Sequence, residues 1–132
     1  MSGEKNLNKL IRNLKLLLHE GKYVFVSLPK GSEIPTEDVI AFFREDEGIT
    51  IVTPIDKADN KGYKYTFIAA WITLKVHSSL EAVGLTARVS NALAAEGISC
   101  NAFAASYYDH IFIPFRDATK AMMILSRLKY DL

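Results

Sequence analysis

From residue 65 to residue 115 the apolar pattern switches from a period of two to a helical period and back, and few folds accept that order. Residues 65–76 read as a strand longer than the usual five or six residues. Along it Ile68, Ala70, Ile72, Leu74 and Val76 point one way and Phe67, Ala69, Trp71, Thr73 and Lys75 the other. The first set is the expected core face. A turn at residues 77–84 leads to a helix starting near Leu85, with Leu85, Val89, Ala92 and Leu93 as its buried stripe and Gly97 as its end. Residues 98–106 and 110–115 are expected to form a hairpin around Tyr107, Tyr108 and Asp109. Asp117 is placed to cap a last helix with Ala118, Ala121, Met122, Leu125 and Leu128 inward.

Strand, helix, strand, strand, helix is the split βαβ order of an α+β, ferredoxin-like fold: an antiparallel sheet with helices packed on one face. Its completing strand does not follow at the C-terminal end. In the front half, Leu7, Leu10, Ile11, Leu14, Leu17 and Leu18 recur at steps of three and four, which predicts a helix over residues 7–18 that covers a sheet face and stops at Gly21. Residues 23–28 read as a strand between Gly21 and Pro29. Thr36 is expected to cap a short helix reaching Phe43, with Glu37 and Asp38 in its first turn. Residues 49–53 read as a strand ended by Pro54, and residues 56–62 as a polar loop. These elements make a second unit in rotated order. The expectation is two intertwined sub-domains, 1–65 and 66–132, sharing the long strand region, with the first lending the second its missing sheet edge.

Sixteen basic residues nearly cancel fifteen acidic ones, for a net charge of +1, so there is no global field to gather nucleic acid or an anionic membrane. The acidic run of Glu33, Glu37, Asp38, Glu45, Asp46 and Glu47 lacks the spacing and central glycine of a calcium loop and reads as a solvated face. Cys100 is the single cysteine and cannot form an internal disulfide. No basic-then-apolar leader opens the sequence, and no apolar run reaches the roughly 18 residues of a membrane span. A reducing, cytoplasmic setting is expected.

Glu81, Ala82, Val83, Gly84, Leu85 and Thr86, followed by Val89, Leu93 and the run Ala95, Glu96, Gly97, Ile98, Ser99, resemble the ACT domain family. Its pattern has an acidic residue three before a glycine at the strand-to-helix turn and a Gly-Ile-Asn stretch opening the second strand. More narrowly, Trp71 through Pro114 looks like small stand-alone bacterial proteins with a tandem pair of ACT-like units. The resemblance implies a non-catalytic regulatory protein that binds an amino acid or small carboxylate effector, and no cofactor. It places the ligand at the turn, on Val83, Gly84, Leu85 and Thr86, with Glu81 or Asn101 answering an amine and Ser99 counted among the ligand-binding residues. Two departures stand out: glutamate rather than the commoner aspartate at position 81, and Ser99 in place of asparagine, with Asn101 two residues on along the same strand face.

The turn suits such a ligand physically, because free amides at a helix start attract a carboxylate and a glycine permits close approach. The same residues also fit a capping box, Ser78 bonding forward and Glu81 back, which needs no ligand. A protein–protein interaction or dimerisation module is therefore the alternative function, and bulky side chains over Gly84 would favour it. Sheet edges that need cover point to a homodimer. His77, Cys100, Asp109 and His110 match neither a metal template nor a nucleophile-and-base motif, and phosphate loops and nucleophile elbows are missing. Cys100 reads as a small core residue and Asp109 as a turn former. Trp71, Tyr107 and Tyr108 suit a cleft, an interface or, for Trp71, the core.

Overall fold

The structure, a computed structural model, describes residues 3–132. The chain forms two compact units: residues 20–69, and a second made of the N-terminal segment through His19 together with residues 70–132. It thus enters one unit, leaves it at His19 and returns at Ala70.

In the 20–69 unit, β2 (Tyr23–Leu28) pairs antiparallel along its whole length with β4 (Ile49–Pro54), and β3 (Ala41–Arg44) pairs antiparallel with the other edge of β4. The free edge of β2 takes the first two residues of β5 (Ile68–Lys75) through Tyr23↔Ala69 and Val24↔Ile68. Val24, Val26, Leu28, Ile49 and Ile51 share one face and pack on Ala58 of α2 (Ile55–Asn60). That helix stands where the sequence pattern suggests a polar loop. Ile55 and the fully buried Ala58 explain it, since two apolar residues three apart suffice to seat two turns on a sheet.

The short helix expected from Thr36 to Phe43 is one turn at residues 36–38, followed by β3. Val39, Ile40, Phe42 and Phe43 are β-branched or aromatic, and the edge of β4 offers partners, beginning with the Ile40 amide donating to the Val52 carbonyl at 2.8 Å. Sheet pairing outweighs the capping signal.

The other unit is built from α1 (Leu7–Asn13), β1 (Lys15–Leu18), the rest of β5, α3 (Leu85–Ala94), β6 (Asn101–Ala104), β7 (Asp109–Pro114) and α4 (Ala118–Ser126). Its strands lie in the order β6-β7-β5-β1, with β6 and β7 antiparallel and β1 antiparallel to β5 from Lys15↔Lys75 to Leu18↔Ile72. The N-terminal segment, part of this same unit, supplies the strand β1 on the edge of β5. It does so by ending the predicted helix at Asn13: Leu14 has extended backbone (φ −64, ψ 124), and Leu16 turns toward the core. Ile11, Ile72, Leu74, Leu85, Val89, Leu93, Ile111, Ile113 and Leu125 form that core on the helix-bearing face. The 20–69 sheet thus has spatial strand order second, third, first, fourth, and the other sheet has the same order with β1 taking the fourth place although it comes first in the chain; helices pack on one face, the ferredoxin-like arrangement repeated. The 65/66 boundary read from sequence lies four residues from the point where the chain passes from one unit to the other, while residues 3–19 belong with the C-terminal part.

Candidate functional site

Residues 76–84 connect β5 to α3, and the N-terminal segment fastens the start of this turn. Glu4 forms a parallel bridge with Ser78; its amide donates to the His77 carbonyl at 3.0 Å, and its carbonyl accepts from the Ser79 amide at 3.1 Å. The Ser79 hydroxyl oxygen accepts from the Glu81 amide at 3.1 Å, and the Ser79 carbonyl accepts from Ala82 at 2.9 Å. The chain then reaches Gly84 in the left-handed region (φ +104), as the residue before α3, and the Gly84 carbonyl accepts the first helical bond from Arg88. No side chain caps the helix.

The capping box does not form, because α3 begins six residues beyond Ser79 and not beside Ser78. Glu81 instead puts its carboxylate 3.1 Å from Lys5 Nζ on the surface. Such a pair contributes about 0–1 kcal/mol.

A pocket of about 140 Å³ opens against the turn. Ser78, Ser79, Gly84, Leu85 and Thr86 form one wall, and Ala104 and Asp109, opposite each other at the β6–β7 end, form another. Of the residues proposed from sequence, Gly84, Leu85 and Thr86 line it. Val83 does not, and is 83% exposed. Glu81 is outside it, engaged with Lys5, and Ser99 is an exposed residue before β6. Asn101 sits across from Phe112 and donates Nδ2–H to the Phe112 carbonyl at 3.2 Å; strand alternation turns it away from the face that carries Ala104. Behind the glycine, a Cβ placed on Gly84 would stand 3.1 Å from Leu7 Cδ2, so a bulky side chain does cover part of Gly84.

Asp109 brings the pocket its one carboxylate. It is half-buried, has no hydrogen bond or ion pair among the described residues, and burial holds its carboxyl above the ordinary 3.8, with His110 partly opposing the rise. Sequence reasoning gave it only a turn role. Nothing local signals that the start of β7 meets the start of α3.

A second group lies on the helix-free face of the same sheet. His19 stacks on Trp71 with centroids 3.5 Å apart and planes 10° from parallel, and its Nε2 is 2.7 Å from Thr73 Oγ1. Thr73 Oγ1 is 2.9 Å from His110 Nδ1, which also accepts from Trp71 Nε1–H at 3.1 Å. Accepting at Nδ1 puts the neutral proton of His110 on Nε2. Burial lowers both imidazoles below the ordinary 6.5; the neighbouring His110 adds to the effect on His19, and Asp109 opposes it on His110. Period-two alternation along β5 puts Trp71 and Thr73 on this face, whereas His19 reaches it because β1 is a strand.

Cys100 packs against the helix-side core, where burial pushes its thiol up, away from the thiolate a nucleophile needs. His77 lies near Tyr107, ring centroids 6.1 Å apart. Among the described residues no three His, Cys, Asp or Glu side chains gather to hold a metal ion, and no helix is long and apolar enough to cross a membrane.

Two models of the ACT domain match the chain, over residues 2–70 and 67–127. A protein of unknown function from Vibrio cholerae, named a possible transport protein, superposes with TM-score 0.80 at 38% identity, over 93% of this chain and 95% of its own. A protein from Agrobacterium tumefaciens superposes with TM-score 0.68 at 21% identity, over 86% and 87%. The regulatory subunit of aspartate kinase from Thermus flavus shares the fold with TM-score 0.60 at 12% identity, over 86% and 95%. No curated protein matches the chain.

Proposed function

Since the chain belongs to the ACT domain family, we propose that it is a non-catalytic regulatory protein that senses a small effector, an amino acid or another small carboxylate, at the turn between β5 and α3. The observation that carries this reading is the pocket of about 140 Å³ against an uncapped helix start. Its size is well below the roughly 300–1,000 Å³ of sites for drug-sized molecules, which suits a compact ligand. In support, Leu85 and Thr86 line the pocket at the first turn of α3, where amides lack an intrahelical partner and attract a carboxylate, and the left-handed Gly84 before them brings no side chain of its own. Ser78, Ser79 and Thr86 add hydroxyls. A cytoplasmic homodimer is part of the proposal; family membership supports a regulatory, ligand-binding role generally.

The test is a thermal-unfolding panel of the twenty amino acids at millimolar concentration. A ligand present at about 100 times its Kd stabilises the folded state by about 2.7 kcal/mol, several degrees for a chain of this size. A panel that leaves the midpoint unmoved overturns the reading.

One observation favours a second reading, an interaction module without a ligand. Leu7 packs against Gly84, and the nearby Leu80 and Val83 are largely exposed apolar side chains. Sedimentation equilibrium across a concentration series separates the two: a dimer whose association is indifferent to every amino acid supports the module.

A further inference from the structure

We propose that Asp109 is the ammonium-recognising residue of the turn pocket, so that the effector carries a protonated amine as well as a carboxylate. The assignment rests on reading the turn as a small-ligand site. It replaces the two amine partners that the sequence suggests, since Glu81 is paired with Lys5 outside the pocket and Asn101 is turned to the opposite face and bonded to the Phe112 carbonyl.

Four observations carry it. Asp109 lines the pocket, and every other lining residue is uncharged. Its carboxylate makes no hydrogen bond and no ion pair among the described residues, the neighbouring His110 acting on it through charge alone, although Lys5, Lys9 and Lys57 all find carboxylates elsewhere. It is half-buried and held in place from the backbone, because it pairs with Ala104 at the first rung of the β6–β7 ladder. A half-buried carboxylate without a partner is unfavourable in the empty protein, and a cation supplied by the ligand relieves that. Ala104, its partner across the ladder, is small enough to leave room for an ammonium group beside it, and Ala82 adds little bulk to the pocket lining. One carboxylate and three hydroxyls are too few acidic oxygens for a divalent ion, whereas an ammonium with three donors can be shared between Asp109 and the hydroxyls of Ser78 and Ser79.

With the carboxylate at the start of α3 and the amine at Asp109, the two ends of an α-amino acid span the pocket from one wall to the other. A simple carboxylic acid would satisfy only the helix end, and an amine only the strand end.

The experiment uses the full chain labelled with ¹⁵N and follows the amides of Gly84, Thr86 and Asp109. The probes are the twenty amino acids, with propionate and ethylamine as the two halves of alanine. Wild-type protein is expected to bind its preferred amino acid at least tenfold more tightly than either half binds. Asp109→Asn, which keeps the shape and removes the charge, is expected to weaken the amino acid about 10- to 100-fold and leave propionate unchanged or slightly better bound. Without ligand the variant should be at least as stable as the wild type. Equal amino-acid affinity in the two proteins overturns the role of Asp109 while leaving the turn as a ligand site. Wild-type protein that binds propionate as tightly as the amino acid overturns it as well, with no variant needed. If no amino acid shifts these amides, the ligand-site reading fails along with it.

Discussion

At Gly84 the backbone sits at φ +104, and an added Cβ would press on Leu7 at 3.1 Å. Both effects are avoided only by glycine. Left-handed backbone costs an L-residue about 1–2 kcal/mol, so Gly84→Ala is expected to lower stability by at least that amount in urea titration. Gly97→Ala is the matched comparison: its φ is +74, yet nothing lies within 4 Å of the added carbon. The excess loss at position 84 over position 97 then measures the Leu7 contact. This glycine was legible in the sequence as the break between strand and helix. Leu7 beside it was not, because the two are 77 positions apart and meet through tertiary links such as the Glu4–Ser78 bridge and the Lys5–Glu81 pair.

Among the elements, β1 departs from the sequence pattern as β3 and α2 do, and it carries the most consequence. Leu14, Leu17 and Leu18 continue a helical stripe, but the open edge of β5 turns residues 15–18 into a strand and exposes Leu17 and Leu18 at about 40%. The strand ends by seating His19 against Trp71: the His19 amide donates to the Trp71 carbonyl at 2.9 Å and the rings stack. Both His19 and His110 have folded-state pKa values below the ordinary 6.5, chiefly from burial. The unfolded chain therefore binds more protons between the depressed values and 6.5. Stability is fully present above pH 6.5 and is lost as the pH falls through that window. Urea midpoints measured between pH 8 and pH 5 should fall, and replacing both histidines with glutamine should flatten the fall. Asp109 has the opposite sign, since its raised carboxyl pKa lowers stability as pH rises above 3.8, so its effect is separable by the Asp109→Asn variant. The same proton that charges His110 at Nδ1 removes the acceptor for Trp71 Nε1–H, and Trp71 is the sole tryptophan, so its fluorescence reports the event directly.

For the whole molecule, the return of the chain at Ala70 to the unit it left at His19 decides how it can be divided. Residues 70–132 alone lack β1 and the buried Leu10 and Ile11 of α1. That fragment is expected to give a poorly dispersed amide spectrum, and joining residues 3–19 ahead of it through a flexible linker is expected to restore dispersion. A cleanly folded 70–132 fragment would contradict the role assigned to β1.

The sequence by itself determined the elements whose residues answer to neighbours close along the chain. The β5–α3–β6–β7–α4 series follows from periodicity and from the glycines at 84 and 97, and with it came the ferredoxin-like class and the location of the turn. Tertiary structure decided what depends on an edge or a wall supplied from far away. Residues 15–18 and 41–44 became strands because β5 and β4 had unpaired edges, and residues 55–60 became a helix because a sheet face needed Ala58. Asp109 became a pocket residue because the β6–β7 hairpin closes against the turn. Local propensity differs between states by only tenths of a kcal/mol per residue, whereas unpaired backbone and open apolar surface cost kilocalories, so pairing and burial prevail where the two disagree.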